Sequence, residues 1–170
     1  MTTYESYTNS LIQKLHKNFD ISEQYNLEKY SYDFRADLNI RNEKFVFLPE
    51  IKLYGFENNE YFLVRKSDGL NLYDLKEELS YLKSKLKEIA PPAKEHMSSE
   101  VFLVLITQTP IPEKTEKFIR KFFRQKSYAL GFKGWADLNV IVIALSEERV
   151  ISHKKNKKTA AFFNPEAVVL

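Results

Sequence analysis

Asp37, Glu50 and Lys52 are the residues of this chain whose types and spacing best fit catalysis. Two carboxylates on neighbouring strands can share a Mg²⁺ ion. The ion activates a water, and a nearby amine offsets the charge that builds on a phosphate oxygen. Glu50 and Lys52 are two residues apart, so in a strand their side chains leave the same face. The competing reading of Glu-x-Lys is a cross-strand ion pair on a half-solvated sheet, in a chain of which 29% is charged.

A second set of residues is basic. Residues 1–112 hold 14 Lys/Arg against 17 Asp/Glu, net −3, whereas residues 113–170 hold 12 against 6, net +6. The excess falls in two segments, Glu113 to Lys133 and Arg149 to Lys158. Lys117, Arg120, Lys121 and Arg124 lie opposite the phenylalanines of an expected helix, and Lys154, Lys155, Lys157 and Lys158 crowd the stretch after His153. Fixed positive charges at helical pitch can follow a phosphate backbone or an acidic protein. Glu113 and Glu116 dilute the first turn of that helix, and a solvated face is the alternative.

Other chemistries find little support. His16, His96 and His153 are too far apart for a metal pair at i, i+4 spacing. There is no cysteine, which removes thiolate nucleophiles, disulfides and Cys-ligated zinc, and suits a reducing compartment. The four glycines form no phosphate-cradling motif, and no Gly-x-Ser-x-Gly elbow occurs. Val101–Ile106 and Val140–Leu145 are the longest apolar runs, a fraction of the about 20 residues that span a bilayer. The opening residues lack the basic start and apolar core of a signal peptide. A cytoplasmic protein without a membrane partner is expected, with no resident cofactor unless Mg²⁺ serves the carboxylates.

The elements that must position these residues follow from periodicity. Thr2-Thr3-Tyr4-Glu5 reads as a capping box, and Tyr4, Tyr7, Leu11, Leu15 and Phe19 recur at helical steps to about Asn18. Tyr30 to Ile40 alternates as a strand with one buried face, and Lys44 to Phe56 reads as a second strand interrupted at Pro49. "YFLVRK" is a third strand, making an antiparallel meander. Leu72, Leu75, Leu79, Leu82, Leu86 and Ile89 then form a helical stripe stopped by Pro91-Pro92. "EVFLVLITQ" is a strand buried on both faces. A helix from Glu113 to Tyr128 starts with Pro112 at its first position and stops near Gly131. "WADLNVIVIAL" is a strand, and "RVISHKKNKKTAAFF" reads as a strand, a basic turn and a last strand. The order is α-βββ-α-β-α-β-β with no linker: one α+β domain over residues 1–170, helices packed on a mixed sheet.

With those elements in place, Asp37, Glu50 and Lys52 resemble the PD-(D/E)xK nucleases, whose core runs α-βββ-α-β. That resemblance implies metal binding by Asp37 and Glu50 and charge stabilisation by Lys52. In that family, however, the aspartate is on the second strand of the meander and Glu-x-Lys on the third, and here both fall one strand early. "RNEKF", "ENNEYFLV" and "KGWADL" are also similar to a group of small uncharacterised bacterial and archaeal proteins, which implies a fold and no activity. The recurrence of Ala36-Asp37-Leu38-Asn39 as Ala136-Asp137-Leu138-Asn139 has flanks that do not align and is not read as a duplication. A non-enzymatic binding module for nucleic acid or an acidic protein is the leading expectation, and a Mg²⁺-dependent nuclease the alternative.

Overall fold

The computed structural model of the chain describes residues 2–38, 59–92, 98–128 and 134–169. Helix α1 spans Tyr4–Leu15 and is capped by Thr3, whose side chain accepts the Ser6 N–H at 3.2 Å. The cap is thus one residue later than the expected box. Three antiparallel strands follow: β1 (Asp20–Leu27), β2 (Tyr30–Leu38) and β3 (Asn59–Ser67). The meander and the order of elements are those expected, but β1 was not foreseen. The expected strand from Lys44 to Phe56 lies outside the described residues, as do His96 and Gly131.

Helix α2 (Leu72–Ile89) begins at Asn71, whose side chain accepts the N–H groups of Tyr73 and Asp74. It leads to β4 (Ser99–Thr107), then α3 (Glu113–Lys121), a short strand β5 (Arg124–Ser127) and the long strand β6 (Trp135–Ala144). Two corrections concern α3. Pro112 occupies the cap position rather than the first turn. The helix stops at Phe122, whose backbone is extended (φ −76°, ψ 123°), so Arg124 lies on a strand. The pull is tertiary, because β5 gains an antiparallel ladder with β6 from Arg124–Leu138 to Ser127–Trp135.

Strand β7 (Arg149–Ser152) is followed by a 3₁₀ turn (Lys154–Asn156), helix α4 (Lys157–Phe162) and helix α5 (Pro165–Val168). The first strand of this segment is thus as expected, whereas the expected basic turn and last strand are helical. "TAAFF" has strand-like composition, but its aromatic residues are taken up by the core: Phe162 and Phe163 are buried, and Phe163 meets Phe62 edge-on at 5.0 Å.

The described strands form one sheet in the order β1-β2-β3-β4-β6, with β5 and β7 in succession along the outer edge of β6. The central β3, β4 and β6 are parallel. Helices cover both faces, which is why the central strands read as unbroken apolar runs. On one face the α2 stripe packs on Leu63, Leu103, Val140 and Val142. On the other, α1, α4 and α5 pack on Phe62, Val64, Phe102, Ile141 and Ile143. The buried Tyr7 hydroxyl donates to the Phe163 carbonyl at 2.6 Å and ties α1 to the C-terminal helices.

One irregularity interrupts the meander. Gln24 adopts a left-handed backbone (φ 51°) and breaks the β1–β2 ladder between the pairs Glu23–Phe34 and Tyr25–Tyr32. Beside it β2 changes sides: Tyr30 and Tyr32 join the α2 core, whereas Phe34, Ala36 and Leu38 join the α1 core. The uninterrupted single face expected for this strand is thus split in two.

Candidate functional site

The basic residues come together where α3 meets the C-terminal segment. Glu116 organises the junction. Its carboxylate accepts from Arg120 of the same helix (2.7 Å) and from Arg149 of β7 (2.9 Å), and Arg149 also reaches Glu147 at 3.1 Å. The Arg149 and Arg120 hydrogen bonds hold the Glu116 carboxyl below its ordinary range. Two arginines are thereby fixed side by side, and a groove of about 490 Å³ opens between α3, β7 and α4. Arg120, Arg149, Ser152, His153, Lys154 and Lys157 line it, together with the acidic Glu148. An adjoining hollow adds Lys121. Among the described residues, Lys121, Lys154 and Lys157 make no ion pair.

Of the eight basic candidates, Arg120, Lys154 and Lys157 therefore share one groove, and Lys121 lines the hollow that adjoins it. The other four do neither. Lys117 pairs with Glu113 at 2.5 Å along the helix. Arg124 sits over the Phe122 ring on the α2 side of the sheet. Lys158 is exposed outside the groove lining. Lys155 turns inward: its Nζ lies 2.5 Å from the buried Asp137 Oδ2 and 3.9 Å from the centre of the Phe123 ring. Beside it, His153 Nδ1 accepts the Lys155 N–H at 3.2 Å. The Asn156 amide donates to Asn139 Oδ1 at 3.0 Å and fastens the basic turn to β6.

Of the acidic set, Asp37 is on β2, now the second strand of the meander because β1 precedes it. Its Oδ1 accepts from Arg35 Nε at 2.7 Å, and Arg35 also donates to the Ile89 carbonyl and the Tyr25 hydroxyl. Burial pushes the Asp37 carboxyl above its ordinary value in spite of Arg35. Glu50 and Lys52 lie outside the described residues, as does Lys133.

A row of carboxylates was missed. Glu60 on β3 stands in register with Glu100 on β4, and Glu100 with Asp137 on β6. Glu60 is 2% exposed and Asp137 3%. Asp137 is satisfied by Lys155 and by the Gln125 amide at 2.8 Å, whereas Glu60 Oε2 has no hydrogen-bond partner among the described residues. Burial and the nearby Glu100 hold the Glu60 carboxyl well above its ordinary value. The signal was present: Glu60-Tyr-Phe-Leu-Val64 and Glu100-Val-Phe-Leu-Val104 are near copies that pair side by side. No group of three or more His, Asp or Glu among the described residues is placed to hold a metal ion. No helix among them is long and apolar enough to cross a membrane.

These features define a single-domain α+β protein with a mixed sheet covered on both faces and a basic groove at one edge. The chain belongs to a family described as a domain of unknown function, DUF8052, whose model matches residues 3–165. No curated protein and no solved structure matches it.

Proposed function

We propose that the protein is a non-enzymatic binding module that holds nucleic acid by its phosphates in the groove between α3, β7 and α4. The observation that carries this reading is the convergence of Lys121, Lys154 and Lys157, without ion-pair partners among the described residues, around Arg120 and Arg149, which Glu116 holds in place. Free lysines beside pre-positioned arginines suit phosphate oxygens spaced along a chain. The test is fluorescence anisotropy with labelled oligonucleotides over a salt series. Lys121→Ala/Lys154→Ala/Lys157→Ala should weaken binding and reduce the log–log salt slope by about 0.7–0.9 per lost phosphate contact, with the melting temperature unchanged. An unchanged slope overturns the proposal, and displacement by polyglutamate but not by nucleic acid reassigns the groove to an acidic protein.

The second reading is a Mg²⁺-dependent nuclease using Asp37, Glu50 and Lys52. Its support is the element order and the position of Asp37 on the second strand; against it stands the Arg35–Asp37 pair. Magnesium-dependent cleavage of an oligonucleotide that is lost in Glu50→Ala would establish it. No cleavage by the unaltered protein would end it.

A further inference from the structure

A second basic cleft lies on the α2 face, on the other side of α3 from the groove. It has a volume of about 400 Å³ and is bounded by Lys76, Ser80 and Lys83 of α2, Phe118 and Phe122 at the α3 end, and Arg124 of β5. Among the described residues, no acidic one lines it. On α2, Lys76, Lys83 and Lys87 follow one another at intervals of seven and four, which keeps them on one stripe. The stripe covers about 16 Å of helix axis, room for several phosphates of one strand. Across the cleft Arg124 and Lys126 leave β5 on the same face, since their partners Leu138 and Ala136 both belong to the α2-side core. None of these five cations makes an ion pair among the described residues.

The floor is aromatic. Phe118 and Phe122 lie 5.5 Å apart, with Lys76 Nζ 5.3 Å from the Phe118 ring and the Arg124 guanidinium 5.4 Å from the Phe122 ring. A partly exposed aromatic floor with cations held over its rings combines the two groups that take a flat base together with its phosphate. A duplex keeps its bases stacked inside and offers only phosphates to such a cleft. A membrane would need apolar side chains that project, whereas Phe122 is only 6% exposed and Phe118 is half-buried.

We infer that this cleft binds single-stranded nucleic acid, with a base against Phe118 and the backbone along Lys76, Lys83 and Lys87. The inference rests on the nucleic-acid reading of the groove and specifies it: the partner is a single strand that contacts both sides of α3. The test is anisotropy with a labelled pyrimidine oligonucleotide, single-stranded and as a duplex. The unaltered protein should prefer the single strand. Phe118→Leu should lose about 5- to 100-fold in single-strand affinity with the salt slope kept, and Phe118→Tyr, which retains a ring, should keep the affinity. Lys83→Ala/Lys87→Ala should lower the single-strand slope by about 1.4. If Phe118→Leu and Lys83→Ala/Lys87→Ala bind normally while the groove variant is weakened, the cleft assignment is wrong and the groove reading stands. Equal affinity for strand and duplex also overturns the cleft. No binding by the unaltered protein overturns both.

Discussion

Glu60 and Glu100 stand in register on two adjacent parallel strands near the middle of the sheet, and the Oε2 atom of Glu60 is buried without a hydrogen bond from the described residues. A carboxylate in that position is easier to keep protonated than ionised. Its folded-state pKa is raised, so the folded form retains a proton that the unfolded chain releases. Stability should therefore fall as pH rises from the ordinary glutamate value through the raised one. Glu60→Gln should flatten that decline and raise the melting temperature at pH 8 by at least about 2 °C. Parallel thermal melts of the two proteins between pH 4 and 9 check this, and equal slopes would refute it.

Arg65 and Glu78 form a two-pronged pair, at 3.1 and 2.5 Å, between β3 and α2, and Glu78 is 1% exposed. Arg65→Met leaves that carboxylate buried alone and should cost about 3–5 kcal/mol. Arg65→Met/Glu78→Leu should cost much less than the two single changes added together. Urea unfolding of the four proteins closes the cycle.

Lys154 and Lys155 are neighbours with opposite assignments. Lys155→Ala removes the cation beside the buried Asp137 and should destabilise by about 1–3 kcal/mol. Lys154→Ala touches only the groove and should stay within about 0.5 kcal/mol. Chemical denaturation together with oligonucleotide titration separates the two: Lys154→Ala should weaken binding and leave stability intact.

Tyr7→Phe deletes the hydroxyl that donates to the Phe163 carbonyl and leaves that acceptor buried. A loss of about 1–3 kcal/mol is expected. Hydrogen exchange should show it as faster opening of α1 and of α4 together, because the bond joins them.

Legibility in the sequence followed locality. The leucines of α2 and the apolar runs of β4 and β6 declared themselves because their burial is set by neighbours three, four or two residues away. Strand β1 did not: as an edge strand it fully buries only Leu27, so it carries no alternation to detect. Phe122 and Phe123 continue the helical period of α3, and only the ladder with β6 ends the helix there. At the candidate site the density of lysines was visible, but the inward turn of Lys155 depends on Asp137, eighteen residues away in sequence. The carboxylate row left only a trace in the sequence, the near copies that begin at Glu60 and Glu100, because the row itself exists only once β3, β4 and β6 are set in register.

The left-handed residue at Gln24 bears on how the molecule behaves in a crowd. Among the described strands β1 is an outer edge of the sheet, and a straight edge offers a row of free amide and carbonyl groups on which another chain could crystallise its own strand. At Gln24 that row is broken mid-strand, flanked by Glu23 on one side and Tyr25 on the other, so an incoming strand could pair along only half its length. The opposite edge is divided between β5 and β7, two strands of four residues each. Among the described strands, one border of the sheet is thus interrupted mid-strand and the other is split between two short strands, a geometry that opposes edge-to-edge growth into fibrils.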